Sequence, residues 1–81
     1  MIVQQKVRLT YPGPLRDRPL LSQLVREFEL ETNIVEARVA DDEAWLVVLV
    51  SGEPHKLRQG LHWIAGEGVQ VEVYPPVEER P

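Results

Sequence analysis

With 81 residues and no cysteine, the chain is long enough for one domain near the lower size limit of a self-supporting core; disulfides and thiolate-held metals or clusters are excluded. Its net charge of −4, with acids and bases interspersed, gives no electrostatic basis for binding nucleic acid or an anionic membrane. No apolar run approaches the roughly 18 residues of a membrane span, and the N-terminus MIVQQKVRL lacks the apolar segment of a signal peptide, so a cytoplasmic protein without membrane insertion is expected.

Ile2 to Tyr11 alternates, with Val3, Val7, Leu9 and Tyr11 on one face and Gln4, Lys6, Arg8 and Thr10 on the other, which reads as a strand. Pro12, Gly13 and Pro14 end it, because proline cannot continue a hydrogen-bonded ladder. Pro19 suits the first turn of a helix, and Leu20, Leu21, Leu24, Val25 and Phe28 then recur at three- and four-residue spacing, so a helix with one apolar stripe should run to about Leu30.

Asn33 to Val50 reads as a β-hairpin. Val35, Ala37 and Val39 alternate with Glu36 and Arg38, Asp41 to Glu43 form the turn, and Ala44 to Val50 is apolar without a break, as in a strand covered on both faces. Ser51 and Gly52 end that strand. Pro54 opens a second helix with a stripe of Leu57, Leu61 and Ile64, which Gly66 and Gly68 terminate. Val69, Val71 and Val73 alternate with Gln70, Glu72 and Tyr74 in a last strand. Residues 1–74 thus form one domain, and 75–81, PPVEERP, are expected to be a flexible tail.

The order β-α-β-β-α-β, with right-handed crossovers, gives an α+β ferredoxin-like sandwich: a four-stranded antiparallel sheet in order 4-1-3-2 with both helices on one face. The other face is left open. A hairpin loop of two or four residues turns Trp45, Val47 and Leu49 onto that open face, and an odd loop turns Leu46, Val48 and Val50 there instead. In the even case Lys6, Arg8, Glu36, Arg38 and Glu72 surround an apolar centre of Trp45, Val47 and Leu49, the usual anatomy of a protein interface, so these three are interface candidates and a homodimer through this face or its edges is expected. The competing expectation is that long Arg and Lys stems fold over the stripe and keep a monomer soluble.

Little in the chain points to catalysis. His55 and His62 are seven apart, roughly 10 Å along a helix, too far to share one metal. Ser22 and Ser51 have no nucleophile elbow around them, and Gly13 stands in no phosphate-binding loop. No enzyme, no metal and no cofactor are expected. Asn33, at the mouth of a strand after Glu31 and Thr32, reads on its own as a polar residue closing a turn.

Taken together, Pro19, LLSQLVREFEL, then Asn33, Ile34 and Val35, then LVVLVSGEPHKLRQGLHWI and GVQVEV resemble the NIL domain, whose name comes from an Asn-Ile-Leu triad. The likeness covers residues 3–74, and Val35 stands in place of the leucine. NIL domains are ferredoxin-like modules of methionine-importer ATPases and of some iron-sulfur ferredoxins, and in the importers they bind methionine between paired copies and restrain transport. The resemblance therefore implies an ABC-transporter-related regulatory module in which Asn33, Ile34 and Val35 belong to a site for methionine or a similar amino acid. The alternative is a protein–protein interaction module that docks a partner through the open sheet face and binds no metabolite. The chain carries neither the ATPase P-loop nor the cluster cysteines.

Overall fold

A computed structural model describes residues 1–75. Strand β1 (Val3–Pro12) is followed by a single 3-10 turn (Gly13–Leu15), helix α1 (Leu20–Phe28), strands β2 (Glu31–Val39) and β3 (Glu43–Gly52), helix α2 (Pro54–Gly66) and strand β4 (Gln70–Val73). The strands form one sheet in the order β2-β3-β1-β4, the expected order read from the other edge, with every neighbouring pair antiparallel. Residues 76–81 of the expected tail lie outside the described residues.

Alternation in the two central strands produces the core. Val7, Leu9 and Tyr11 of β1 lie opposite Val48, Leu46 and Ala44 of β3, and Val7, Leu9, Val48 and Val50 have no solvent exposure. From the helices, Leu20, Leu24, Leu57 and Ile64 complete this buried layer. Helix α1 closes at Glu29, which takes a left-handed φ of 54° that is more readily held by glycine, and Leu30 then turns inward and is 2% exposed. The helices meet where α2 carries Gly60: a Cβ there would stand 2.9 Å from Cδ1 of both Leu24 and Leu30, so the absent side chain sets their approach. Phe28 and Trp63 extend the contact, with ring centroids 5.8 Å apart.

Among the described residues two ion pairs join segments distant in sequence: Arg18 Nη2 to Glu67 Oε1 at 2.9 Å, and Lys56 to Glu29. Arg16 Nη1 donates to the carbonyls of Ala40 and Asp41, both at 2.8 Å, tying the β2–β3 turn to the segment before α1. Nothing in the local pattern around Arg16 foretells this role, which arises only when the hairpin folds back beside it.

Strand β2 departs from the expected half-buried pattern. Thr32 is partly covered, but every other residue of β2 is exposed, including Val35 at 53% and Val39 at 69%. It is an edge strand, and neither helix lies over it to the extent that α2 lies over β3 and β4. Its apolar alternation is real but lies largely outside the cover of the helices.

Candidate functional site

The hairpin register resolves the parity question. Val39 lies opposite Ala44, so four residues, Ala40 to Glu43, separate the last opposed pair. Trp45, Val47 and Leu49 accordingly point to the face away from the helices, as an even loop requires, while Leu46, Val48 and Val50 point inward.

A β-bulge then changes the first half of β2. Ile34 lies opposite Val48 and Glu36 opposite Val47, which leaves Val35 without a partner. One extra residue on one strand reverses the parity beyond it. Carried back from Val39 without interruption, the alternation would put Asn33 on the helix side with Val35 and Ala37. With the bulge, Asn33 lies opposite Leu49 on the open face, and Ile34 falls on the helix side, where it is 51% exposed. The three triad positions are contiguous but do not converge: Asn33 belongs to the open face, Ile34 to the other, and Val35 to the bulge between them.

The pairings assemble the open face in rows across the sheet. One row runs Asn33, Leu49, Lys6; the next runs Glu36, Val47, Arg8, Glu72; the third runs Arg38, Trp45, Thr10, Gln70. Beyond Lys6 the first row continues to Tyr74, whose N–H donates to the Lys6 carbonyl at 2.9 Å and whose ring lies 4.9 Å from Lys6 Nζ. The Arg8 guanidinium lies 4.4 Å from the Trp45 ring centroid, a cation–π contact. Val47, between Arg8 and Glu36, is only 4% exposed although it faces away from the helices.

Arginine coverage of the stripe is therefore realised at Trp45, and it leaves one buried donor: Arg8 Nε has no hydrogen-bond partner among the described residues. Neither Glu36 nor Glu72, its neighbours in the row, forms an ion pair with it. Leu49, Lys6 and Tyr74 also border a cleft of about 660 Å³ that wraps round the N-terminal end of β1 and continues to Leu57 and Arg58 of α2. The row that Asn33 begins ends in this cleft. The sequence pattern placed Lys6 and Arg8 on the correct face but offered no sign of the cleft, which exists because β4 stops short of the β1 end.

In chemical terms this face offers cations at Lys6 and Arg8, a carboxylate at Glu36, an amide able to donate and accept at Asn33, and apolar floor at Val47 and Leu49. Among the described residues no three His, Asp or Glu side chains are grouped to hold a metal, and both histidines are exposed on α2. No described helix is long and apolar enough to cross a membrane.

Comparison with known proteins agrees with this architecture. The NIL domain family profile matches residues 5–73. The methionine import ATP-binding protein MetN 1 of Paraburkholderia xenovorans is 36% identical over 76 residues, covering 89% of this chain and 22% of that protein, and the MetN 1 protein of Burkholderia ambifaria matches to the same extent. The chain thus spans about a fifth of the length of these relatives. Among solved structures, the C-terminal domain of an ABC transporter ATP-binding protein from Enterococcus faecalis superposes with a TM-score of 0.76 at 22% identity, covering 85% of this chain and 81% of that one. A de novo designed protein, Foldit4, superposes at 0.62 with 16% identity, over 98% of this chain and all of the design. Likeness to a designed chain is a reminder that the fold alone carries no activity.

Proposed function

The chain belongs to the NIL domain family, and on that premise we propose that it is a non-catalytic regulatory module that binds methionine or a similar amino acid on its open sheet face, beside Asn33. The observation that carries this reading is the bulge at Val35, which turns Asn33 out of the helix-side layer and into line with Leu49 and Lys6. A bulge redirects side chains and is over-represented beside functional sites. An amino acid lying along this row has a cation for its carboxylate at Lys6 or Arg8, acceptors for its ammonium at Asn33 and Glu36, and an apolar surface for its side chain at Leu49. Methionine enters through the relatives, which are methionine import ATP-binding proteins. By the same relation the module is cytoplasmic and works beside an importer.

Titration calorimetry with methionine tests the proposal. Saturable heat is expected for the wild type and at least a tenfold loss for Asn33→Ala; ligand at about 100 times its Kd should raise stability by about 2.7 kcal/mol. No heat and no shift in melting at millimolar methionine, leucine or other amino acids would reject ligand binding at this face.

A second reading, a module that docks another protein or a second copy of itself, is favoured by the edge strand. Ile34, Val35 and Val39 are all at least half exposed on β2, and Trp45 and Leu49 remain only partly covered beside them. Sedimentation equilibrium at micromolar concentration should give twice 9.3 kDa for a homodimer, and Leu49→Glu should return the monomer if the face is used. A wild type that stays monomeric at every concentration argues against self-association, and capture of a specific protein in the absence of any bound metabolite would favour docking over sensing.

A further inference from the structure

At the opposite end of the sheet from the cleft beside Lys6, and on its helix side, a second cleft of about 250 Å³ opens between the first turn of α1 and the hairpin end of β3. Tyr11, Arg16, Arg18 and Ser22 contribute its polar lining, and Leu21 and Leu46 part of its apolar wall. Three features of this place leave hydrogen-bond donors able to take an acceptor. Tyr11 is 6% exposed, and its hydroxyl has no hydrogen-bond partner among the described residues. The start of α1 is uncapped among the described residues: Leu20 N–H finds the Arg18 carbonyl and Gln23 N–H the Pro19 carbonyl, but the Leu21 and Ser22 amides between them have no such bond there, no described side chain caps the helix, and its first turn holds no acid. Arg18 spends Nη2 on Glu67 and Arg16 spends Nη1 on the hairpin turn, and each keeps further N–H groups available.

We infer that this cleft is a binding site for a short-chain monocarboxylate, with the carboxylate at the uncapped first turn of α1 and the Arg18 guanidinium, the Tyr11 hydroxyl as a further donor, and the apolar tail against Leu21 and Leu46. A helix start with free amides favours an anion, and planar guanidinium groups pair well with a carboxylate. The volume of about 250 Å³ lies just below the roughly 300–1,000 Å³ usual for small-molecule pockets, which suits a small ligand. None of the described lining residues is acidic, and the nearby carboxylate, Glu67, is already bonded to Arg18. The site thus selects a simple carboxylate over a zwitterionic amino acid, in contrast to the face around Asn33. Arg16 has a positioning role, because its bonds to the Ala40 and Asp41 carbonyls hold the hairpin turn beside the cleft.

The test is a 1H–15N NMR titration of the full chain with 4-methylpentanoate, following the Leu21 and Ser22 amides, with neutral 4-methylpentanamide and L-leucine as controls. Saturable shifts are expected with the carboxylate, at least tenfold weaker with both controls, and unchanged by Asn33→Ala, so that the outcome is separate from that of methionine binding. Arg18→Gln should weaken binding at least tenfold, and Tyr11→Phe several-fold. Shifts that never saturate, equal shifts from the amide, or wild-type affinity in Arg18→Gln would overturn the proposal. Should that variant fail to fold, the comparison of carboxylate and amide on the wild type still decides.

Discussion

On the side of the sheet that faces the helices, Val7, Leu9, Val48 and Val50 are without solvent contact, whereas on the opposite side Trp45 and Leu49 are only partly covered. Both sides come from the same alternating strands. The helix side is closed by two amphipathic helices; the open side is closed locally, by the arginine that lies over Trp45. Val47 lies opposite Arg8 and is nearly as buried as a core residue with no helix above it. The difference teaches that burial in so small a sheet follows from what lies over a residue, and that charged side chains are part of that cover. It also separates robustness from adaptability, because a face closed by one long side chain can be reopened by a ligand at the cost of a rotamer.

The largest expected effect lies on the helix side. Leu24→Ala should cost about 2–5 kcal/mol, measured by urea denaturation, because Leu24 has no solvent exposure and belongs to one core with Leu20, Leu30 and Ile64. A value below about 1 kcal/mol would mean that the helix layer is loosely packed and that the two faces differ less than their exposures indicate. Alkaline pH probes the same face. Burial pushes the Tyr11 hydroxyl up to about 12 from its ordinary value of 10. A group that stays protonated in the folded chain and ionises more readily in the unfolded one favours unfolding once pH passes the lower value. Stability should therefore fall between pH 10 and about 12, by roughly 2–3 kcal/mol in all. Tyr11→Phe should flatten that slope, and an unchanged profile would show that other groups cause it.

On the open face the expected effects are smaller. Arg8→Met should cost about 0.5–1 kcal/mol through the lost contact with Trp45, partly offset because the unpartnered Nε is removed with it. Indole fluorescence should report greater exposure of Trp45 in the same variant. Val39→Thr, on the uncovered edge strand, should stay within about 0.5 kcal/mol of wild type. A larger loss there would show that β2 is covered in solution, which is what pairing of two copies along that edge would do. The smallest effect concerns Glu29, whose carboxyl is held below its usual value by the hydrogen bond and charge of Lys56. Its stabilisation is present above the ordinary carboxylate range and fades as pH falls through the lowered value. On an exposed pair this should be a shallow, salt-sensitive trend that Lys56→Met abolishes.

Much of this could be read without coordinates. The alternation of Val7, Leu9 and Tyr11, the stripe of Leu20, Leu24 and Phe28, and the unbroken run from Ala44 to Val50 specify element type and order, because side-chain period is a local property of backbone geometry. Right-handed crossovers then leave one sheet order, and 4-1-3-2 is the order found. The outward set Trp45, Val47 and Leu49 followed from the same pattern once the loop was known to be even. What only the tertiary structure decided is where periodicity meets its surroundings. The exposure of β2 comes from its place at the edge of the sheet, where the helices give little cover, which no alternation in its own residues can announce. The bulge at Val35 is one unpaired residue whose presence depends on the strand beside it, and it alone determines that Asn33 looks toward Lys6 and not toward the core. The two clefts likewise belong to no segment of chain: one forms where β4 ends before β1 does, the other where the start of α1 meets the returning hairpin, and such spaces arise only from the packing of elements distant in sequence.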